Sequence, residues 1–486
     1  MLKGIVKQGL ISVKNIVRVT AFVLVVAVLL DIWAVWFKKK SYDGSLMLQN
    51  FYEQPENSID LLCIGSSHAF IDINTGVLWD EYGIPSYVLG GSLQPFWNTY
   101  YNLKEAVKTQ TPRLVVLEAL ACDISTEYSE HGMIINNVSG MHWNMNKLES
   151  IRASVCDTDG LIDYTLLFEE FHSRYSELDM IDIASDLGDN VRSENWKGFY
   201  DYLRTEFALR PEINEDVEAI PMSNKEEVYY RMIIEFCQEQ GIPLLIIVSP
   251  DAGYEDISRA HYLYAADIAE EYGVDFIDFN EHYDDIGLDF SYDFGDIGHL
   301  NFRGNRKFTS YLGDYITDNF DMIDRSSDQS GLYDSWAENY RYGEARVVNF
   351  ELAQTADLHE YIARLNDLSD DYDVFVDLYD ISTLDDDLRT YLNLCGIACS
   401  RANDERRYLI RGGQSVSLEA DENGLYYEYF QGNHHLSVTS EGVVFDNMNL
   451  TITEHPGVYI TVYDRYNQTV ADYSSAAYEE VFRLDY

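Results

Sequence analysis

Five short apolar runs, each separated from the next by a longer amphipathic stretch, constrain this chain more than any other feature of it. Residues 59–64 (IDLLCI), 86–89, 113–117 (RLVVL), 243–248 (PLLIIV) and 274–279 (VDFIDF) are continuous or β-branched rather than cleanly alternating. That is the pattern of strands buried on both faces. Residues 95–110, 224–240, 258–272 and 302–319 read as helices, and breakers such as EQGIP and EYGVD lead from helix into strand. Repeated β-α alternation predicts an α/β domain over 55–322, with a parallel five-stranded sheet and helices on both faces. Residues 124–222 interrupt the alternation; rich in aromatic, Asn and acidic residues, they read as a mainly helical insertion.

Beyond this domain the composition turns polar, and 323–344 reads as a linker. A second, smaller α/β or α+β domain is expected over 345–486. Its predicted elements are a strand at 346–352, a helix at 358–368, a strand at 373–378, a helix at 384–395, and β-like runs ending at 458–463.

Ahead of both domains, residues 19–37 (VTAFVLVVAVLLDIWAVWF) are long and apolar enough to cross a bilayer as a helix. No small-residue cleavage site follows, so 1–40 reads as an uncleaved single-pass anchor. Lysines and arginines flank the run on both sides, and the balance leans toward a cytoplasmic N-terminus. The formal net charge of −49 argues against nucleic acid or anionic lipid as a partner, since both would be repelled. Six scattered cysteines show no C-x-x-C spacing, and Cys63 and Cys237, inside apolar segments, read as small core residues. Cys395 and Cys399 are close enough in sequence to pair in an oxidising compartment, which cysteine usage leaves open. No metal-ligand spacing occurs among the histidines, and no cofactor is expected.

Two segments carry chemistry. The first predicted strand runs into Gly65-Ser66-Ser67-His68, ahead of a helix-like stretch. A serine there has its hydroxyl exposed by a tight turn, next to helix N-terminal amides that can meet an oxyanion. After the last strand come Asp296 and His299, three apart. A hydroxyl nucleophile needs a general base, and the base needs a partner to fix its tautomer. In a parallel sheet the two loops share the carboxyl edge, so Ser67, His299 and Asp296 form a candidate triad.

On these residues the chain resembles the SGNH/GDSL hydrolase superfamily over about 55–320. Gly65-Ser66-Ser67 matches its first block and Asp296 with His299 its last. The resemblance implies a flavodoxin-like sheet of SGNH type. It also places the oxyanion donors: the second block falls within Gly90-Gly91-Ser92-Leu93, which makes Gly91 and Ser92 candidates. In the third block the family's asparagine falls on Cys122, whose thiol is a poor substitute for an amide donor.

The Gly-Ser-Ser opening behind an N-terminal anchor is similar to the membrane-anchored branch that acts in teichoic-acid D-alanylation and exopolysaccharide O-acetylation. That resemblance implies an extracytoplasmic domain, a cell-surface glycan or teichoic-acid-like polymer as substrate, and a membrane-bound O-acyltransferase as partner. His68, beside the nucleophile, and His172 and Arg174, in the insertion, are candidate substrate-binding residues, the arginine suited to a phosphate or carboxylate. Segments near 358–378 and 457–464 resemble the interleukin-like EMT inducer domain, a fold associated with carbohydrate. Two readings follow: an acyltransferase or esterase working through an acyl-enzyme, or a catalytically weak, glycan-binding scaffold.

Overall fold

The structure, a computed structural model, describes residues 43–156 and 197–379 without a break. It also describes short pieces between 15 and 29, residue 164, and most of 386–483. The expected anchor at 19–37, His172, Arg174, Cys395 and Cys399 lie wholly or mostly outside the described residues. Among the described residues no helix is long and apolar enough to cross a membrane.

The chain divides into two compact units, Met1–Tyr340 and Arg341–Tyr486. In the first, β1 (Leu61–Gly65), β2 (Ser86–Gly90), β3 (Leu114–Glu118), β4 (Leu244–Val248) and β5 (Asp275–Asp278) form one sheet in the order β2-β1-β3-β4-β5. All four pairings are parallel. Every residue of β1 to β4 is buried, which is why these strands read as unbroken apolar runs.

Period-two alternation sends their side chains to opposite faces. Leu62, Ile64, Val115, Leu117 and Ile246 pack with Leu103, Ile233 and Ala265 on one side. Leu61, Cys63, Val116, Leu245 and Ile247 pack with Phe70, Leu78, Phe308 and Leu312 on the other. Helices Phe96–Ala106, Asn224–Gln240 and Asp256–Tyr272 therefore cover one face. Ser67–Asp72, Thr75–Tyr82 and Gly304–Asn319 cover the other. The strand order turns between β1 and β3, and such a switch opens a crevice at the carboxyl edge.

Of the expected insertion, 157–196 lies outside the described residues apart from residue 164. Helices His131–Ser139 and Met145–Ser154 occupy its start, but 197–223 has no regular helix. That return segment instead lies against the sheet domain through single backbone contacts: Val88 N–H donates to Lys197 O and Tyr200 N–H to Phe70 O.

The second unit is α+β. A six-stranded antiparallel sheet runs in the order β15 (Glu480–Arg483), β14 (Thr469–Ala477), β13 (Gly457–Asp464), β6 (Tyr372–Tyr379), β7 (Arg406–Arg411), β8 (Gln414–Leu418). Helices Leu358–Asp367 and Asp386–Leu394 cover one face, burying Leu358, Tyr361, Leu365 and Leu392 against Val374, Val376 and Ile460. A four-stranded sheet in the order β12 (Met448–Asn449), β11 (Gly442–Phe445), β10 (His434–Thr439), β9 (Leu425–Gln431) covers the other, with Leu436, Val438 and Val443 against Phe375 and Tyr463. The strand expected at 346–352 is instead part of helix Asp334–Gln354. Ala345, Val348 and Leu352 recur at helical spacing, and that period outweighs the β-branched pair Val347-Val348. The helix also replaces the second half of the expected linker.

Candidate active site

β1 ends in Gly65 and helix Ser67–Asp72 begins two residues later, so Ser67 stands at the carboxyl edge, in a turn between strand and helix. The turn is compressed against β3: a Cβ on Gly65 would lie 2.8 Å from Glu118 Cβ and 2.9 Å from Glu118 O. Only glycine fits there.

The second segment is a closed loop. Phe294 and Leu300 bridge as an antiparallel pair, Gly295 N–H donates to His299 O, and Asn301 N–H donates to Asp293 O. Leu300 N–H also donates to Asp72 Oδ1 at 2.9 Å, pinning the loop to the helix that Ser67 opens.

These constraints bring Ser67, His299 and Asp296 together. Ser67 Oγ is 2.8 Å from His299 Nε2. His299 Nδ1 is 2.9 Å from Asp296 Oδ1 and 3.1 Å from Oδ2. Asp296 Oδ1 also accepts the amides of Gly298 and His299, each at 2.9 Å, and Oδ2 accepts the Tyr202 hydroxyl at 3.1 Å. Partial burial pushes the Asp296 carboxyl up, but the bond and charge of His299, with the Gly298 and Tyr202 donors, outweigh it and hold it well below the usual range. An ionised carboxylate accepting Nδ1–H leaves Nε2 unprotonated toward Ser67, the tautomer a general base requires.

The neighbouring carboxyls behave oppositely. Burial pushes Glu118 and Asp251 up to about 7, against the pull of the groups that bond them. Asp72, fully buried, is likewise raised well above the usual carboxylate range by burial. Glu118 accepts the Ser66 hydroxyl on Oε2 and the Leu120 amide on Oε1, both at 2.9 Å.

His68 is 4% exposed, not solvent-facing, and its ring stands edge-on to His299 with centroids 5.0 Å apart. Burial, then the charge of His299, push it down to about 3, so it is neutral at physiological pH. Among the described residues its Nδ1 has no hydrogen-bond partner.

The expected oxyanion donors fare unequally. Ser67 opens a helix, so its amide has no intrahelical acceptor. The Ser92 amide, by contrast, donates to Asp43 O at 3.2 Å and its hydroxyl to Asp43 Oδ2 at 2.9 Å. Cys122 is buried in the apolar core with its amide donated to Ala119 O, and burial pushes its thiol far up. The Ser92 donors are thus taken, and the Cys122 thiol is 1% exposed, within the core. Gly91 abuts Asn137, whose Oδ1 would lie 2.0 Å from a Cβ added at Gly91. Asn137 is itself buried, with neither side-chain polar atom partnered among the described residues.

Sequence reasoning missed Glu118, Tyr202, Asp251 and Asn137. The insertion that supplies Tyr202 and Asn137 carried the only warning, through its position after a strand's carboxyl end. Among the described residues no group of acidic, histidine and cysteine side chains is arranged to hold a metal ion. No model of a known protein family matches the chain, and none of the curated proteins matches it.

Proposed function

We propose that the first unit is an SGNH-type serine acyltransferase or esterase, and that the chain is a single-pass, membrane-anchored protein with its bulk outside the cytoplasm. Its substrate would be a cell-surface polysaccharide or teichoic-acid-like polymer, worked on beside a membrane-bound O-acyltransferase. The net charge of −49 favours a neutral glycan over a polyanionic one. The observation that carries the reading is the unbroken Ser67–His299–Asp296 relay, assembled from the first and last strand ends of one sheet. The resemblance of the same residues to the SGNH blocks supplies the chemistry.

Ser67 Oγ attacks the acyl carbonyl carbon as its proton passes to His299 Nε2. The ionised Asp296 stabilises the imidazolium that forms, and the Ser67 amide faces the developing oxyanion. Collapse breaks the bond to the donor's leaving oxygen, which takes the proton from His299, and an acyl-Ser67 ester remains. A glycan hydroxyl or a water then attacks that ester as its proton passes to His299; the bond from the acyl carbon to Ser67 Oγ breaks, Ser67 Oγ takes the proton back from His299, and the acylated glycan or the free acid leaves. Transfer and hydrolysis thus share one machinery.

Labelling of the full chain with a fluorophosphonate tests the reading: the wild type reacts and Ser67→Ala does not. An unlabelled wild type that still retains glycan on a pull-down would establish the scaffold reading instead.

A further inference from the structure

The sheet's switch point lies between β1 and β3, and one side chain closes it. Glu118 ends β3 and is 1% exposed. Among the described residues no lysine or arginine pairs with it. A carboxylate buried without a cation costs several kcal/mol, and an apolar residue of similar size would pack there without that cost. What the carboxylate gains is a hold on the nucleophile turn: the Ser66 hydroxyl at 2.9 Å and the Leu120 amide at 2.9 Å. Ser66 immediately precedes Ser67, and the contact between Gly65 and Glu118 leaves the turn no room to shift toward β3.

We propose that Glu118 is a positioning residue of the acyl-transfer site: by accepting the Ser66 hydroxyl it fixes the turn in the orientation that brings Ser67 Oγ to His299 Nε2. This rests on the function proposed above. The titratable groups in its field are His299, Asp72, Tyr262 and Cys122. With the carboxyl pushed up to about 7 by burial, protonation in the neutral range weakens the charge-assisted acceptor that both donors need.

The experiment measures the rate of fluorophosphonate labelling, and kcat and KM on p-nitrophenyl acetate, for the full chain. The variants are Glu118→Gln, Ser66→Ala, their double, and Ser67→Ala. Each of the first two is expected to slow Ser67-dependent reaction roughly 10- to 100-fold, the cost of a nucleophile held slightly off line. The loss falls on kcat with KM nearly unchanged, and the double is no slower than the slower single, because both break one contact. In Glu118→Gln the acid limb of the rate loses one of its titrations, which a merely structural substitution would not remove.

Wild-type rates in Glu118→Gln and Ser66→Ala, with Ser67→Ala inert, overturn the positioning role and leave the acyl-transfer reading standing. Additive losses overturn the Ser66 link. An unlabelled wild type overturns both proposals together. If Glu118→Gln fails to fold, Ser66→Ala decides alone, and a wild-type rate in it overturns the role.

Discussion

The two units bury carboxylates in opposite ways. In the second unit, Asp373 and Asp377 lie inside the six-stranded sheet and are answered by arginines. Arg411 clasps Asp373 at 2.6 and 2.8 Å, with Arg465 a further 3.3 Å contact, and Arg407 meets Asp377 at 3.3 Å. At the carboxyl edge of the first unit, Asp72, Glu118, Glu226 and Asp251 are met by hydroxyls and amides, and burial raises all four. Charge pairing fixes a cross-strand register and contributes nothing to reactivity. Carboxyls held by neutral donors leave the edge able to exchange protons near neutrality, at a cost in stability. Asp296 differs from those four, since it is held down by His299 and its donors.

The largest effect should come from removing that difference. Asp296→Asn keeps the shape and reverses the hydrogen bond to His299 Nδ1, so the relay holds the wrong tautomer. Ester cleavage by Ser67 should fall about 10³- to 10⁴-fold with the melting temperature little changed. A variant within tenfold of wild type on p-nitrophenyl acetate would erase the contrast between Asp296 and its neighbours.

Next comes the arginine clasp. Arg411→Ala leaves Asp373, 0% exposed, with the longer Arg465 contact and the Tyr427 hydroxyl at 3.4 Å. Calorimetry should show the second unit losing about 2–3 kcal/mol, less than for a fully buried pair because Arg411 is partly exposed. The transition of the first unit should stay in place. A neutral result would mean the pair is no more than surface decoration.

Much of this was legible in the sequence, for reasons tied to particular residues. Strands β1 to β4 are buried on both faces, so their apolar runs read plainly as strands, and Ser67 follows the first strand in the chain while Asp296 and His299 follow the last. Glu118 was not legible, because an acid closing the run LVVLE looks like any strand-end residue until Ser66 is seen beside it. Ser92 misled because motif position does not reveal where an amide's proton goes, here to Asp43, and Cys122 because it does not reveal that the side chain is buried in the core. Tyr202 comes from an aromatic-rich stretch without periodicity, and the pattern at 346–352 concealed a helical period beneath two adjacent valines.

A pH scan separates the two kinds of burial more gently. A carboxyl raised in the folded state binds protons that the unfolded chain has already released, so stability falls as pH rises between the two values. For Glu118 and Asp251 that window runs from the usual carboxylate range to about 7, and for Glu226 to about 8. His68, pushed down to about 3, works the other way below its usual value, as does buried Lys197, at about 7, in alkaline solution. Three carboxyls outweigh one imidazole. The first unit should therefore melt several °C lower at pH 7 than at pH 5, and Glu226→Gln should flatten that slope by roughly 1.4 kcal/mol per pH unit. A first unit that gains stability over that interval would show its carboxyls to be paired after all.

The smallest effect tests how Asp296 stays apart from its neighbours. Of the four groups that favour its ionised form, the two amides and the imidazole belong to its own loop, while the Tyr202 hydroxyl arrives from the insertion's return segment. Tyr202→Phe keeps the ring edge-on to His299, 6.1 Å between centroids, and deletes that donor alone. The carboxyl then rises toward the usual range, with three of its partners intact. Activity at neutral pH should drop only about 2- to 5-fold, since a single hydrogen bond to an ion contributes about 1.5–3 kcal/mol and water can replace part of it at this partly exposed site. The acid limb of the kcat profile should move up in pH, because a depressed carboxyl that loses a donor protonates earlier. An unmoved limb would mean that the loop by itself sets Asp296 apart, and that the insertion covers the site without tuning it.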